Sequence, residues 1–243
     1  MELSEYQNIF DHEESHFFYR VNHQLFLSFI EQAFPNRHNL KILDAGCGTG
    51  LLLKKLAHFG HAQGVDISAE ALKFCRKRKV KAQKASLSKL PFPAHSFDLI
   101  TSVDVLYHLK IKDDLQALQE LRRVLKPGGK LMLRVPANKW LKLHHDQHVH
   151  TRQRYSTQEV RQKIRTAGFV LQKVSYVNMT FLLVATLKYG WESIFSTSKV
   201  QSGVATPPAW LNTFFIGVSR LELAWLRALP LPFGLGVFVI AEK

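Results

Sequence analysis

Short apolar runs alternate with amphipathic stretches along most of this 243-residue chain. Apolar runs bounded by glycine, proline or polar residues are typical of buried strands, and they predict strands at residues 41–45, 61–67, 97–102, 130–135, 169–177 and 234–241. Apolar residues at intervals of three or four predict helices at residues 51–59, 69–78, 113–125 and 156–167. Strands that alternate with helices indicate a parallel sheet covered on both faces.

The two ends of the chain depart from this alternation. Residues 1–36 have apolar side chains at helical spacing and stop at Pro35, which predicts a helical cap. Residues 179–232 separate the last two predicted strands and are rich in Phe, Leu and Trp, so we interpret them as an insertion. The chain is therefore divided into a cap at 1–36, a core at 37–178, a helical lid insertion at 179–232 and a last core strand at 233–243.

Lysine and arginine number 33 against 19 aspartates and glutamates, for a net charge of +14. This excess favours anionic partners, such as nucleic acid, acidic lipid headgroups or phosphorylated substrates, without choosing among them. The only two cysteines, Cys47 and Cys75, exclude a disulfide framework and a cysteine zinc site, and they indicate a reducing compartment. The longest apolar run, residues 179–187, is shorter than the ~20 residues of a membrane span. The acidic N-terminus is unlike a secretory signal, so we expect a cytoplasmic protein.

A glycine-rich loop follows the first predicted strand. Gly46, Gly48 and Gly50 occupy alternate positions before a helix, where the backbone can turn sharply and approach a ligand closely. Asp66 follows at the end of the second strand, where a carboxylate can accept hydrogen bonds from both ribose hydroxyls. The two features together predict a nucleotide-type cofactor at the carboxyl edge of the sheet.

The spacing G-x-G-x-G resembles motif I of class I S-adenosylmethionine-dependent methyltransferases. Residues 64–68 resemble the acidic loop of that family, residues 90–98 the approach to its fourth strand, and residues 125–129 the turn before its fifth. The chain is most similar to the type 11 group of small-molecule methyltransferases. Four segments resemble one branch of that group, at residues 14–20, 104–108, 145–152 and 231–234. The resemblance implies an α/β fold, a Rossmann-like sheet of seven strands with helices on both faces, an antiparallel last strand and a helical insertion before it.

The resemblance also implies a cofactor, S-adenosylmethionine, whose product is S-adenosylhomocysteine. The residues implied to bind it are Asp44, Ala45, Gly46, Gly48, Asp66, Ile67, Ser86, Leu87, Val103 and His108. Asp44 is expected to meet the methionine amino group, Asp66 the ribose hydroxyls, and Ile67 the adenine. Ser86 stands where relatives place an acidic residue, so we expect a weaker hydrogen-bond acceptor for the adenine amino group.

Residues 144–150 have the most unusual composition in the chain, because they combine four histidines with an aspartate. Three interpretations remain open: a solvated loop, part of an acceptor site that removes a proton, and a divalent metal site. The catalytic candidates are His145, Asp146, His148, His150 and Tyr107, and no metal ligand is assigned. For Tyr107 and His108, packing at the start of a helix is the alternative.

Three further residues are candidates for acceptor binding. Tyr19 is expected to form a wall, and Arg152 and Arg154 to pair with a phosphate or carboxylate, with a solvated basic face as the alternative for the arginines. In the insertion, an apolar stripe recurs at helical spacing, formed by Phe214, Val218, Leu221, Trp225 and Leu229. It indicates either a lid helix packed on the sheet edge or a helix on a membrane surface.

We therefore predict in-line methyl transfer to a small, lipophilic or lipid-linked acceptor. The enzyme is expected in the cytoplasm, and it would associate with the inner face of the membrane if the apolar stripe of the insertion contacts lipid. Two alternatives remain: an RNA methyltransferase, and a cofactor-binding protein on the same fold with altered chemistry. Nucleic acid is the less favoured partner, because residues 104–107 read Asp-Val-Leu-Tyr and lack the Asn/Asp-Pro-Pro-aromatic motif.

Overall fold

The computed structural model describes residues 3–141, 151–182, 184–186 and 207–243. Its strands are β1 (Leu40–Ala45), β2 (Gly60–Asp66), β3 (Ala82–Lys84), β4 (Phe97–Val103), β5 (Leu125–Pro136), β6 (Val170–Val177) and β7 (Gly236–Glu242). Its helices of known bounds are α1 (Leu3–His12), α2 (Phe17–Ala33), α3 (Leu51–Leu56), α4 (Ala69–Lys77), α5 (Asp114–Val124), α6 (Thr157–Thr166) and α7 (Ala209–Ala228). Residues 57–59 extend α3 as a 3-10 turn, and residues 179–182 and 184–186 are also helical.

The strands form one sheet in the order β3-β2-β1-β4-β5-β7-β6. Neighbours from β3 to β5 pair in parallel, whereas β7 is antiparallel to both β5 and β6. The strand order reverses between β1 and β4, and ligands bind at such a switch point, beyond the carboxyl ends of the strands. The predicted fold class, a Rossmann-like methyltransferase sheet with an antiparallel last strand, is confirmed.

The two faces of the sheet are covered by separate apolar clusters. Successive strand residues point to opposite faces, so Ile42 packs with α2 and α3, and its neighbour Leu43 packs in the cluster that includes α5 and α6. The helices begin where capping predicts. Ser156 and Glu159 form the expected capping box before α6, and Asp113 accepts hydrogen bonds from the first turn of α5. Both layers position β1 and β2 rigidly under the glycine loop.

The N-terminal cap differs from its prediction in one respect, since it is two helices instead of one. The chain leaves α1 after His12, and the imidazole of His16 then accepts a hydrogen bond from Phe18 N–H to start α2. Between them, Glu13 contacts the Thr49 hydroxyl and Arg78.

The short edge strand β3 was not predicted from the pattern. Its residues, Ala82, Gln83 and Lys84, contain no apolar run, because β3 pairs only with β2 and its side chains are largely exposed. Only the family resemblance implied a seventh strand.

The apolar stripe of the insertion does not pack on the sheet. Helix α7 contacts α2, and Leu226 and Ser219 are buried on that side. Most of the stripe lies on the outer face, where Phe214 is 58% and Leu221 74% exposed. Helix α7 does lie at the sheet edge, because Leu226 belongs to the apolar cluster that contains Val177 of β6, but it packs through side chains between the members of the stripe and not through the stripe itself. Within the described ranges, no helix is long and apolar enough to cross a membrane.

Candidate active site

The glycine loop is shaped by its backbone angles. Gly46, Gly48 and Gly50 all have positive φ, at 86°, 52° and 87°. A Cβ atom on Gly46 would lie 2.2 Å from Val105 Cγ2, so this position excludes any side chain. The amides of Gly46 and Cys47 both donate to the carbonyl oxygen of Val65, which ties the loop to the end of β2.

Asp66 at the end of β2 holds the same loop from the other side. One carboxylate oxygen accepts a hydrogen bond from Gly48 N–H at 3.0 Å, and the other accepts from Ser68 N–H at 2.8 Å. Burial raises the pKa of Asp66, and these amide donors oppose that shift. Each carboxylate oxygen can accept a second hydrogen bond, so Asp66 retains acceptor capacity toward the cavity that it lines.

Asp44 lies deeper, at 2% exposure, near the end of β1. Its carboxylate accepts a hydrogen bond from the Thr101 hydroxyl on β4 at 2.8 Å. Burial raises the pKa of Asp44 to about 7; the Thr101 hydrogen bond lowers it and the Asp66 charge raises it further. A carboxylate that titrates near neutrality beside a cavity is typical of a site that binds a charged ligand.

The cavity at this edge of the sheet is open to solvent. Residues of the glycine loop and of the cap share its lining. Helices α1 and α2 contribute Tyr6, Phe18 and Tyr19 among others.

Most of the predicted site residues line this one cavity. Those at its surface are Tyr19, Asp44, Gly46, Gly48, Asp66, Ile67, Ser86, Leu87, Val103, Tyr107 and His108. Ala45 is fully buried beside them, and its carbonyl oxygen accepts a hydrogen bond from the Ser102 hydroxyl. His145, Asp146, His148 and His150 lie outside the described residues.

Neither of the two predicted substrate arginines is among the residues that line the cavity, and both are engaged elsewhere. Arg152 donates to the Asp114 carboxylate and to the carbonyl oxygens of Leu106 and Lys112. Its own amide donates to Tyr107 O. Arg154 donates to the carbonyl oxygen of Ala137 at 3.0 Å. Arg152 thus supports the segment that carries Tyr107 and His108, a role that its charge alone did not indicate.

Sequence reasoning missed the contribution of the cap to the cavity. Tyr6, Ile9 and Glu13 all line it, at the three- and four-residue spacing that places side chains on one side of a helix. Glu13 accepts a 2.5 Å hydrogen bond from the Thr49 hydroxyl of the glycine loop and pairs with Arg78 at 2.7 Å. The spacing was visible in the sequence, but only the ion pair between Glu13 and Arg78 shows that this side of the helix faces the cavity.

His23 on α2 also lines the cavity and was not predicted. Burial lowers the pKa of His23 to about 3, and the charges of Lys55 and Arg78 lower it further. Lys55 Nζ donates to its Nδ1 at 3.3 Å, which leaves the proton on Nε2. His23 is therefore a neutral hydrogen-bond donor and is not suited to act as a base.

A family model described as a methyltransferase domain, of type 11, matches residues 43–133. The matched segment contains the glycine loop, Asp66 and β4, which together build the floor of the cavity. The match places a type 11 methyltransferase domain at residues 43–133 and supports a class I, S-adenosylmethionine-dependent methyltransferase.

Curated relatives match parts of this methyltransferase domain. The Bos taurus protein named Probable tRNA methyltransferase 9B is 38% identical over 95 residues, which are 39% of this chain and 21% of that protein. The ubiquinone/menaquinone biosynthesis C-methyltransferase UbiE of Pseudomonas fluorescens is 35% identical over 123 residues, 46% of this chain and 47% of that protein. The chain spans less than half of the length of either relative. Because one relative is named for tRNA, the preference against nucleic acid is not supported.

A solved structure shows the same fold over nearly the whole chain. The S-adenosylmethionine-dependent methyltransferase from Mesorhizobium loti superposes with a TM-score of 0.58 at 16% identity, and the match covers 92% of this chain and 100% of that one. At this identity the likeness concerns the arrangement of strands and helices alone.

The cavity residues of the methyltransferase domain fit S-adenosylmethionine. A Cβ would fill the space beside Gly46, so the loop backbone is free to approach a ligand. Asp66 offers carboxylate lone pairs for ribose hydroxyls, and Asp44 offers a buried negative charge for an ammonium group. These two carboxylates thus provide one polar partner for each end of the cofactor.

Proposed function

We propose that the protein transfers a methyl group from S-adenosylmethionine to a small acceptor with an apolar or aromatic body. The observation that carries this proposal is a single cavity lined both by the expected cofactor residues and by aromatic side chains from the cap. Because α1 and α2 contribute to its lining, an acceptor bound beside the cofactor would contact them.

Each group in the cavity has a proposed task. Bound S-adenosylmethionine would supply a methyl group already activated on a sulfonium sulfur. Asp66 would hold the ribose, Asp44 the ammonium group, and Ile67 the adenine. Phe18 and Tyr107 would orient the acceptor and exclude water, since methyl transfer depends mainly on alignment.

The histidine-rich segment remains part of the proposal. We propose that His148 or His150, with His145 and Asp146, removes a proton from the acceptor or holds it. This proposal is supported by the residue that follows the segment, because Thr151 pairs with His108, which lines the cavity. Histidine-to-alanine variants should then lower the rate of transfer and leave the affinity for S-adenosylhomocysteine unchanged.

The proposal is tested by following a radioactive methyl group. The protein is incubated with methyl-labelled S-adenosylmethionine and a cell extract separated into low-molecular-weight, lipid and RNA fractions. Label should enter the low-molecular-weight or lipid fraction, and the Asp66→Ala variant should transfer less at the same, subsaturating cofactor concentration. Label in RNA alone would contradict the small acceptor, and binding of S-adenosylhomocysteine without any transfer would indicate altered chemistry.

RNA is the second candidate substrate, because of a cationic strip at the β3 edge. Seven exposed cations form it, namely Lys73, Arg76, Lys77, Lys79, Lys81, Lys84 and Lys89. No acidic residue occurs between positions 73 and 89. If this strip binds RNA, retention on immobilised tRNA should fall steeply with salt, and Lys81→Glu/Lys84→Glu should weaken it. Retention that does not depend on these lysines would remove this candidate.

A lipid-linked acceptor is the finer form of the first proposal. It is supported by the outer face of α7, where Trp210, Phe214, Leu221 and Trp225 are exposed. Such a face suits the boundary between headgroups and acyl chains. Sedimentation with anionic vesicles should decrease in a Trp210→Ser/Trp225→Ser variant if the enzyme works at a membrane surface.

The protonation of Asp44 predicts how cofactor affinity depends on pH. With its pKa raised to about 7, Asp44 is protonated in the free protein at low pH, whereas an ammonium ligand favours the carboxylate. Affinity for S-adenosylhomocysteine should therefore rise about tenfold per pH unit up to about pH 7 and then level off. Calorimetry of the wild type and Asp44→Asn checks this, because the variant should lose the part of the slope that Asp44 causes. Affinity that falls as the pH rises toward 7 would contradict the assignment.

A further inference from the structure

The cavity is acidic, although the whole chain is strongly basic. Glu13 of the cap and Asp104, which directly follows β4, line it in addition to Asp44 and Asp66, and Lys110 is the one lysine among the described lining residues. A cavity of the opposite sign to the protein around it indicates the charge of its ligand.

The Tyr19 hydroxyl marks the centre of this acidic region. Burial raises the pKa of Tyr19, and the carboxylates of Glu5, Glu13 and Asp104 raise it further, in that order, so all three lie close to the ring. Glu13 is paired with Arg78, and Asp104 with Arg134. Among the described residues, Glu5 has no such ion-pair partner.

Glu5 is the unexplained group. It is 1% exposed, and among the described residues neither of its carboxylate oxygens has a hydrogen-bond partner. A buried carboxylate without a partner is strongly disfavoured, and such groups in native proteins call for a ligand or another explanation. Glu5 does not line the cavity itself but lies one helical turn before Ile9, which does, so a positive charge bound beside Tyr19 would compensate the Glu5 carboxylate from across the cavity surface.

Aromatic rings complete the same region. Phe18 and Tyr107 line the cavity, and Phe18 already accepts one cation on its face, because Arg134 lies 5.3 Å from the ring centroid. Aromatic faces next to carboxylates are the combination that recognises ammonium groups. Anionic acceptors are disfavoured by the same carboxylates.

We infer that the methyl acceptor is an amine, bound as its ammonium form among Glu13, Asp104 and the Tyr19 ring, with the buried Glu5 carboxylate behind them. This inference rests on the proposed function and names its substrate class. For transfer, the ammonium gives its proton to a carboxylate oxygen, and the nitrogen lone pair forms the new N–CH₃ bond. The S–CH₃ bond breaks at the same time, and its electron pair stays on sulfur. Burial raises the pKa of Glu13, which makes its carboxylate the better proton acceptor near neutral pH.

Three phenylalkyl probes that differ in their charged or polar group test whether the cavity prefers a positively charged acceptor. Binding of 2-phenylethylamine, 2-phenylethanol and 3-phenylpropanoate is measured by calorimetry in the presence of saturating S-adenosylhomocysteine. The amine should bind at least tenfold more tightly than the alcohol or the acid. Equal binding of the alcohol, tighter binding of the acid, or no binding of the amine would overturn the inference.

Variants at Glu5 separate a recognition role from a structural one. Glu5→Gln should remove most of the preference for the amine, keep S-adenosylhomocysteine affinity unchanged, and raise the thermal stability of the free protein, because an unpaired buried charge is lost. Glu31→Gln, an exposed change on α2, is the matched control and should alter none of these. An unchanged preference for the amine in a folded Glu5→Gln protein would overturn the inference. If the wild-type protein does not bind S-adenosylhomocysteine at all, the proposed function is overturned instead.

Discussion

Replacing Asp66 with alanine should weaken the binding of S-adenosylhomocysteine by tenfold or more. The variant loses the acceptor for two ribose hydroxyls, at a cost of roughly 1–3 kcal/mol. It also releases Gly48 N–H and Ser68 N–H, so the glycine loop itself loses an anchor. Calorimetric titration measures the change directly, since a factor of ten in affinity corresponds to about 1.4 kcal/mol.

Ser68→Ala provides the control for the Asp66 variant. It removes the side-chain cap of α4, which the Ala71 amide uses, and leaves the Asp66 carboxylate in place. Its effect should appear in thermal stability, at about 1 kcal/mol, and not in affinity. A folded Asp66→Ala protein that binds as tightly as the wild type would remove Asp66 from the cofactor site.

Replacing Asp114 with alanine should cause the largest loss of stability among single changes near the site. Its buried carboxylate accepts hydrogen bonds from Arg152, from Gln153 at 2.8 Å and from the Tyr155 hydroxyl at 3.0 Å, and it pairs with Lys163 at 3.0 Å. Removing one partner of such a network costs about 3–5 kcal/mol, and access of Lys163 to water places the expected value near the lower end.

Differential scanning calorimetry checks the Asp114 prediction. For a chain of this length, about 3 kcal/mol corresponds to a fall in Tm of roughly 6–12 °C. Asp113→Ala is the matched control: its carboxylate is an exposed cap, and its loss should cost about 1 kcal/mol. Equal losses in the two variants would show that the buried network does not stabilise the segment bearing Tyr107.

The central sheet was predictable because its strands have a simple physical cause. β1, β4 and β5 are buried on both faces, so their sequences are apolar runs that stand out from their surroundings. The edge strand β3 has no such requirement, and Ala82, Gln83 and Lys84 carry no pattern that separates them from a loop. Backbone pairing alone places them in the sheet.

The cofactor side of the site was more predictable than the acceptor side. Gly46 and Asp66 lie within one strand–loop–strand unit, so their spacing in the sequence fixes their spacing in the fold. Glu13 and Tyr19 reach the cavity through packing of the cap, which joins residues far apart in the chain. No local pattern shows such contacts, and the charge of Arg152 likewise gave no indication of its partner Asp114.

The position of β7 has a consequence for how the chain is made. β7 lies between β5 and β6 but is translated after both, so a completed β6 has no adjacent strand while the ribosome is still producing the insertion. At about 5–20 residues per second this interval lasts several seconds, during which β5 and β6 each present an unpaired apolar edge. Closure of the sheet, and with it the burial of Val237 and Val239, waits for residues 236–242 to emerge from the exit tunnel.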